Sequence, residues 1–258
     1  MITQCEMEII SHQQIARSIY ELVVQGELVD HIDSPGQFVH VRVSPSMDPL
    51  LRRPISIAKV DQEKKQMTLL YRADGHGTTV LSQRVVGDSV NILGPLGNGF
   101  PIEATAPKEK AYLIGGGIGV PPLYELSRQL VAKGVEVVHI LGFETDEVVF
   151  YEEEFRALGD THIATVDGSK GTQGFVTAIM EELGDGFNTF YSCGPMPMLK
   201  AVQDTYTHKK GFISFEERMG CGIGACFACV KETKDQSGKG YIKICSDGPV
   251  FEAGVVSI

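Results

Sequence analysis

Residues 111–143 read AYLIGGGIGVPPLYELSRQLVAKGVEVVHILGF. They contain an apolar strand, Ala111–Ile114, a glycine-rich turn, and a helix with a Pro-Pro pair in its first turn and Gly134 as its stop. A second buried strand, Val135–Gly142, follows. Two apolar strands joined by a helix form a βαβ unit, from which parallel sheets are built. This stretch therefore predicts an α/β domain.

The same alternation continues beyond this unit, and a linker over residues 105–110 precedes it. A glutamate-rich helix is expected over Val149–Leu158. Further strands and helices are expected at His162–Val166, Val176–Leu183, Thr189–Cys193, Met198–Thr205 and Phe212–Glu216. We predict that the α/β domain spans residues 103–216.

Residues 1–102 show a different pattern, in which short strands are separated by turn residues. In Phe38–Val43 the apolar side chains alternate, which places Val39, Val41 and Val43 on one face. Comparable runs are Ile19–Val24, Pro54–Ala58, Met67–Arg72 and Ser89–Leu93. Many short strands with such turns predict a small antiparallel β-barrel.

The glycine-rich turn joins a strand to a helix, where free backbone amides can bind a pyrophosphate. Gly116, Gly117 and Gly119 are therefore candidate contacts for a dinucleotide. The turn lacks the G-x-G-x-x-G spacing, so a tight turn with nothing bound is the alternative. Glu144 follows the second strand, where a carboxylate accepts from a ribose 2′-OH and repels a 2′-phosphate, which favours NAD over NADP.

Four of the six cysteines, Cys221, Cys226, Cys229 and Cys245, follow the spacing C-x4-C-x2-C-x15-C. Structural zinc sites use paired knuckles of similar spacing, whereas this asymmetric run is typical of plant-type [2Fe–2S] proteins. Glycines between the cysteines let the backbone wrap closely and direct amides inward. We predict a [2Fe–2S] module over residues 217–258, with zinc as the alternative. Because only 15 residues separate Cys229 from Cys245, we expect the module to be small and to pack against the preceding domain.

The 258 residues include 23 Lys and Arg against 33 Asp and Glu, which gives a formal net charge of −10. This excess of carboxylates repels phosphate backbones and anionic lipid, so we expect neither nucleic-acid binding nor membrane binding. No run reaches the roughly 18 consecutive apolar residues of a membrane span. The acidic start lacks the pattern of a signal peptide. We expect a cytoplasmic protein.

Several segments together resemble the ferredoxin–NAD(P) reductase family: Arg53-Pro54-Ile55-Ser56, Tyr71-Arg72, Gly75-His76-Gly77-Thr78, the glycine-rich turn and Tyr191–Met196. Met219–Cys229 and Cys245–Pro249 extend the resemblance over essentially the whole chain. They narrow it to the branch whose members serve class 1B dihydroorotate dehydrogenases as electron-transfer subunits. The resemblance implies a flavin-binding β-barrel, a parallel-sheet NAD-binding domain and a small C-terminal [2Fe–2S] module.

The resemblance also implies FAD contacts at Arg53, Pro54, Ile55, Ser56, Leu70, Tyr71, Arg72, Gly77 and Thr78. Arg53 belongs to the Arg-x-Tyr-Ser flavin motif and offers a bidentate cation to a diphosphate, while Ser56 is placed to hydrogen-bond the flavin ring. Ile55 stands where many relatives carry tyrosine. Tyr71 is placed to stack, and Arg72 has the alternative of pairing with a surface acid.

In this family the segment beside the nicotinamide corresponds to Cys193, Gly194 and Pro195. The resemblance implies a relay in which FAD exchanges a hydride with NAD(H) and single electrons with the cluster, so no acid–base residue is assigned. The implied partner is an FMN-containing dihydroorotate dehydrogenase catalytic subunit, in a heterotetramer with two copies of each chain. Dihydroorotate oxidation, a step of pyrimidine (UMP) biosynthesis, would occur on that partner.

Two other functions fit the same residues. One is the small flavin/iron–sulfur subunit of another NAD(P)H-dependent reductase, of the ferredoxin:NADP oxidoreductase or sulfide dehydrogenase type. The other is a non-enzymatic NADH sensor with a zinc module on a degenerate nucleotide-binding domain. Cofactor content separates the sensor from the enzymes, and the co-purifying partner separates the two enzymes.

Overall fold

The computed structural model describes residues 1–44, 46–233 and 240–258. The strands are β1 (Thr3–Ala16), β2 (Ile19–Gln25), β3 (Phe38–Arg42), β4 (Arg53–Asp61), β5 (Gln66–Arg72), β6 (Ser89–Leu96), β7 (Lys110–Gly116), β8 (Glu136–Phe143), β9 (Asp160–Thr165), β10 (Thr172–Gln173), β11 (Thr189–Cys193), β12 (Lys210–Ser214), β13 (Val230–Glu232), β14 (Tyr241–Lys243) and β15 (Val250–Glu252). The α-helices are α1 (His76–Leu81), α2 (Pro121–Ala132), α3 (Glu152–Arg156), α4 (Val176–Leu183), α5 (Met196–Thr205) and α6 (Ile244–Asp247).

The first six strands close into an antiparallel barrel in the order β1-β2-β5-β4-β3-β6. As predicted, Val39, Val41 and Val43 are buried inside it, where they share a core with Met7 and Ile9 of β1. β1 pairs with β2 along one edge and with β6 along the other, and so closes the barrel. The predicted barrel is confirmed, with the long first strand as an addition.

The α/β domain holds a seven-stranded sheet in the order β10-β9-β8-β7-β11-β12-β15. Neighbours are parallel from β10 to β12, and β15 is antiparallel to β12. The chain builds outward from β7 through β8 and β9, then returns to the other side of β7 with β11. Ligands of such sheets bind beyond the carboxyl ends of the strands at this switch point.

The helix that defines the predicted βαβ unit is α2, which begins at Pro121 and is followed by Gly134 at φ +85°. The helix expected over residues 149–158 is reduced to α3 because Tyr151 adopts a left-handed conformation, φ +59°, just before it. Within the described ranges, no helix is both long enough and apolar enough to cross a membrane.

The C-terminal segment is joined to both preceding parts of the chain. β15 completes the edge of the α/β sheet against β12. On the barrel side, Asn98 N donates to the Gly248 carbonyl oxygen at 2.7 Å. Phe38 of the barrel shares one hydrophobic cluster with Cys229 and Cys245. The cysteine-bearing segment is therefore held between the barrel and the sheet.

Candidate redox-cofactor sites

A cleft of about 820 Å³ opens between the barrel, the sheet and the C-terminal segment. This volume lies within the range of cofactor sites, roughly 300–1,000 Å³. Eight of the nine predicted FAD residues line it: Arg53, Pro54, Ile55, Ser56, Leu70, Tyr71, Arg72 and Thr78. Its walls also include Phe38 of β3, Ile118 of the glycine-rich turn, and Met219 and Pro249 of the C-terminal segment. One cleft thus borders all three parts of the chain.

Gly77, the ninth predicted FAD residue, packs against the Arg53 side chain. A Cβ on Gly77 would lie closer than 3.0 Å to the Arg53 guanidinium. Arg53 Nη1 donates a hydrogen bond of 2.6 Å to the carbonyl oxygen of Leu51. The first turn of α1 is fixed by a bond of 3.2 Å from Gly75 N to Thr78 Oγ1. A held guanidinium beside a bare glycine backbone fits the diphosphate of FAD.

Tyr71 forms a buried part of the cleft wall, and hydrogen bonds fix its orientation. His12 Nδ1 lies 2.8 Å from the Arg84 carbonyl oxygen, which can only accept, so this nitrogen carries the proton. His12 Nε2 therefore accepts from the Tyr71 hydroxyl at 2.8 Å. Burial raises the pKa of the Tyr71 phenol. The ring of Tyr71 stacks on that of Tyr20, with 5.6 Å between centroids.

Arg72 and Glu216 bring opposite charges to the cleft. Arg72 Nε donates to Asp74 Oδ2 at 2.7 Å, so the surface ion pair foreseen as an alternative is present. Sequence reasoning did not single out Glu216, which lines the cleft and is exposed to the solvent there. Partial desolvation by the walls of the cleft raises the pKa of its carboxyl, and the charge of Arg72 opposes the rise. Its place just beyond the carboxyl end of β12 was the available signal.

Six of the seven predicted NAD residues lie at the switch point, at or just after the ends of β7 and β11. A Cβ on Gly119 would lie 2.5 Å from Gly194 N, and one on Gly116 would lie 2.6 Å from Met198 Sδ. These two glycines therefore allow the loops after β7 and β11 to pack closely. Gly117 has φ +51°, and no atom lies within 4 Å of the position that a Cβ would occupy. An exposed backbone at the switch point fits close approach by a dinucleotide.

Cys193, the last residue of β11, is fully buried. Burial raises the pKa of its thiol well above the usual value, the Glu216 carboxylate adds to the rise, and a hydrogen bond from Ser214 opposes it. Such a thiol stays protonated at neutral pH and is a poor nucleophile. Glu144 follows β8 at the same edge of the sheet and is exposed.

The four predicted cluster ligands lie as two pairs, in which Cys221 contacts Cys226 and Cys229 contacts Cys245. Cys226 N donates to Cys221 Sγ at 3.3 Å, and Gly224 N donates to Cys245 Sγ at 3.2 Å. A [2Fe–2S] cluster takes two thiolates on each iron, and hydrogen bonds to its sulfurs tune it. The residues present therefore fit this cluster. We call residues 219–229 the cysteine loop.

The backbone of the cysteine loop favours a thiolate at its first cysteine. Gly222 and Gly224 have φ of +73° and +77°, the left-handed region that suits glycine. Burial raises the pKa of the Cys221 thiol, but hydrogen bonds from loop amides outweigh it and lower the pKa to about 7. Burial and a hydrogen bond with Cys229 raise the pKa of Cys245 to about 12. Across the three described ranges, no three His, Cys, Asp or Glu side chains are grouped tightly enough to hold one metal ion.

Solved structures confirm the predicted fold class. A chain from the structure of an NADH-dependent reduced ferredoxin–NADP oxidoreductase is similar, with a TM-score of 0.85 and 25% identity, over 97% of this chain and 89% of that one. The ferredoxin–NADP+ reductase of Plasmodium falciparum shares the fold at 12% identity, with a TM-score of 0.62, over 79% of this chain and 89% of that one.

The comparisons agree with the three predicted cofactors. Two family matches support the [2Fe–2S] cluster and NAD, and the reductase fold of the solved neighbours supports FAD. A family described as "Oxidoreductase NAD-binding domain" matches residues 113–204. Another, "Iron-sulfur cluster binding domain of dihydroorotate dehydrogenase B", matches residues 216–257.

Curated relatives match along the full length. The electron transfer subunit of dihydroorotate dehydrogenase B (NAD(+)) from Lysinibacillus sphaericus (strain C3-41) is 59% identical over 100% of both chains. Its counterpart from Bacillus cereus (strain AH187) is 58% identical over 99% of both. The present chain therefore belongs to the family of electron transfer subunits of dihydroorotate dehydrogenase B (NAD(+)).

Proposed function

We propose that this chain passes electrons between the FMN of a catalytic partner subunit and NAD+, by way of its own [2Fe–2S] cluster and FAD. The observation that carries the proposal is that the barrel, the glycine-rich turn and the C-terminal segment all contribute walls to one cleft. When bound there, FAD supplies the exchange between two-electron hydride transfer with NAD(H) and one-electron transfer with a cluster. The reaction served is dihydroorotate oxidation in pyrimidine (UMP) biosynthesis.

In this proposal the barrel holds FAD through the nine residues named for it. Arg53 binds the diphosphate, supported by its fixed contact with Leu51 and by the bare backbone of Gly77. Ser56 and Thr78 offer hydroxyl groups from the cleft wall. Leu70, Tyr71 and Ile55 form a buried surface beside them, and the His12 hydrogen bond keeps Tyr71 in place. Arg72 contributes positive charge, which Asp74 partly neutralises.

NAD(H) binds across the switch point, with its pyrophosphate at the glycine-rich turn. Gly117 gives the closest approach because nothing covers its backbone, while Gly116 and Gly119 keep the turn against Gly194. Cys193, Gly194 and Pro195 lie beside the nicotinamide. The raised pKa of the Cys193 thiol supports a role as a neutral neighbour and not as a nucleophile. Glu144 accepts hydrogen bonds from the ribose 2′-OH.

Cys221, Cys226, Cys229 and Cys245 hold the cluster, and the partner docks over the cysteine loop. Two apolar side chains of this loop are exposed, Ile223 by 49% and Phe227 by 64%. Exposed apolar side chains beside a redox centre suit a docking surface for a protein. The net charge of −10 supports neither nucleic acid nor a membrane as the partner. A reducing compartment such as the cytoplasm keeps the cluster thiols free.

The proposal is tested by purifying the chain from its native cell with whatever accompanies it. We expect flavin absorbance, a [2Fe–2S] electron paramagnetic resonance (EPR) signal after dithionite, and an FMN-bearing partner with two copies of each chain. The purified complex should form NADH from dihydroorotate and NAD+. Cys226→Ser should remove the EPR signal and the coupled reaction while NADH still reduces FAD.

Other outcomes of the same purification would overturn the proposal. A larger partner with two flavins would favour the ferredoxin:NADP oxidoreductase type, to which the 25% identical structural neighbour belongs. Zinc in place of iron, without flavin, would favour the NADH sensor.

A further inference from the structure

His40, on β3 of the barrel, is completely buried, although its ring carries two polar nitrogens. Its exposed fraction is 0%, and in the part of the chain that the structure describes neither Nδ1 nor Nε2 has a hydrogen-bond partner. Strand alternation puts His40 on the opposite face from Val39 and Val41, outside the barrel core. Buried polar groups without partners are rare in native proteins, and an ion or a redox centre is one of the usual reasons.

The ring edge that carries both nitrogens faces the cysteine loop. A Cβ on Gly222 would lie 2.8 Å from His40 Cε1, 2.9 Å from Nδ1 and 3.0 Å from Nε2. Gly222 directly follows Cys221, the first of the proposed ligands. The absence of a side chain at Gly222 therefore lets the imidazole edge lie against the backbone that wraps the cluster site.

His40 also lies on the strand that separates this loop from the FAD cleft. Phe38, two residues earlier on the same face, lines the cleft, and its ring centroid is 6.0 Å from that of His40. Burial, with a contribution from the Arg52 guanidinium, lowers the pKa of His40 to about 4. A neutral imidazole has one N–H donor and one acceptor nitrogen. The cluster sulfurs are the acceptors that the proposed function brings to this loop.

We propose that the ring N–H of His40 donates a hydrogen bond to the sulfur shell of the [2Fe–2S] cluster and thereby raises the cluster's reduction potential. The inference rests on the proposed function, because it needs the cluster. Reduction adds negative charge to the cluster, so a fixed donor stabilises the reduced state more than the oxidised state. Hydrogen bonds to the sulfurs are one of the means by which proteins set such potentials.

The test compares His40→Leu, which removes the donor, with His40→Asn, which keeps an N–H group, in the purified complex with its cofactors. The cluster's potential is measured by redox titration followed by EPR. In His40→Leu the ratio of reduced to oxidised cluster at a fixed potential should fall about tenfold, the worth of one hydrogen bond, which is about 59 mV for one electron. His40→Asn should stay close to the parent protein. His139→Asn is the control, because His139 is equally buried but bonds Ser127 and Thr161.

A second measurement covers the case in which His40→Leu loses the cluster. Electron–nuclear double resonance of the reduced parent complex, grown with ring-¹⁵N histidine, should show a ¹⁵N coupling that disappears in His40→Asn. Absence of that coupling, or an unchanged potential in loaded His40→Leu, overturns the proposal. A parent complex without any [2Fe–2S] signal would instead overturn the proposed function.

Discussion

Replacing Gly77 with alanine tests whether Arg53 is held in place for the diphosphate of FAD. Gly77 is buried in the first turn of α1, and an added Cβ would lie closer than 3.0 Å to the Arg53 guanidinium, a separation that real Cβ atoms essentially never show. The crowded atoms are the far end of a flexible side chain. The guanidinium should therefore move while the helix backbone stays, and its 2.6 Å hydrogen bond to Leu51 should be lost.

The expected rise in the Kd for FAD follows from the loss of the charged hydrogen bond between Arg53 and the diphosphate. A hydrogen bond to a charged group contributes about 1.5–3 kcal/mol, and about 1.4 kcal/mol is a factor of ten in Kd. The Kd for FAD should therefore rise by about 10- to 100-fold. Alanine is more favourable than glycine inside a helix by roughly 0.5–1 kcal/mol, which offsets the crowding. The Tm of the flavin-free protein should change by no more than about 4 °C.

Flavin-stripped protein and its variants are titrated with FAD, and binding is followed by the quenching of flavin fluorescence. Gly186→Ala is the matched control, because it does not line the cleft, its φ is not in the left-handed region, and nothing lies within 4 Å of the added Cβ. The control should bind FAD like the parent. If Gly77→Ala binds FAD with unchanged affinity, or if the control weakens binding as much, Arg53 does not hold the diphosphate in the way proposed.

Three further outcomes are expected. Glu144→Ala should narrow the preference for NADH over NADPH, measured as the ratio of kcat/KM values; an unchanged ratio would remove Glu144 from the ribose site. Phe227→Ala should weaken binding of the catalytic subunit by about tenfold or more, measured by calorimetry, while Phe175→Ala, an equally exposed phenylalanine at 67%, should not. Because the folded-state pKa of Glu216 is raised, its carboxylate destabilises the fold as pH rises above the ordinary value of about 4.3. Cofactor-free Glu216→Gln should therefore have a higher free energy of unfolding in urea than the parent at pH 7, and the difference should disappear toward pH 4. Identical urea-unfolding curves for the variant and the parent at pH 7 would contradict this.

The local sequence pattern was enough to predict the bounds of an element where turn residues mark both of its ends. α4 and β11 have the predicted bounds, because each is a periodic apolar run between clear turn residues. β1 escaped prediction because only Met7 and Ile9 are fully buried along it and its register with β2 shifts twice. α1 was not predicted, because it is only six residues long and contains Gly77, a poor helix former that leaves room for Arg53.

The residues of the candidate sites differ in the same way: some are marked by a local motif, and others depend on distant parts of the chain. Seven of the nine proposed FAD residues lie on the neighbouring strands β4 and β5 and the other two on α1, and a family motif marks them in the sequence; eight of them line the cleft. Glu216 and His40 carry no motif, and what surrounds each depends on segments far away in sequence. The ring of His40 lies against Gly222 of the cysteine loop, about 180 residues later in the sequence. No periodicity within the barrel strands records that contact.

The placement of β15 has a consequence for synthesis. Chains emerge from the ribosome N-terminus first, so β12 is made some 40 residues before the strand that pairs with its outer edge. Until residues 250–252 arrive, that edge presents unpaired backbone groups, which can recruit other nascent chains. The cysteine loop lies within the same interval. The edge of the sheet is therefore protected only after the whole cysteine loop has been made.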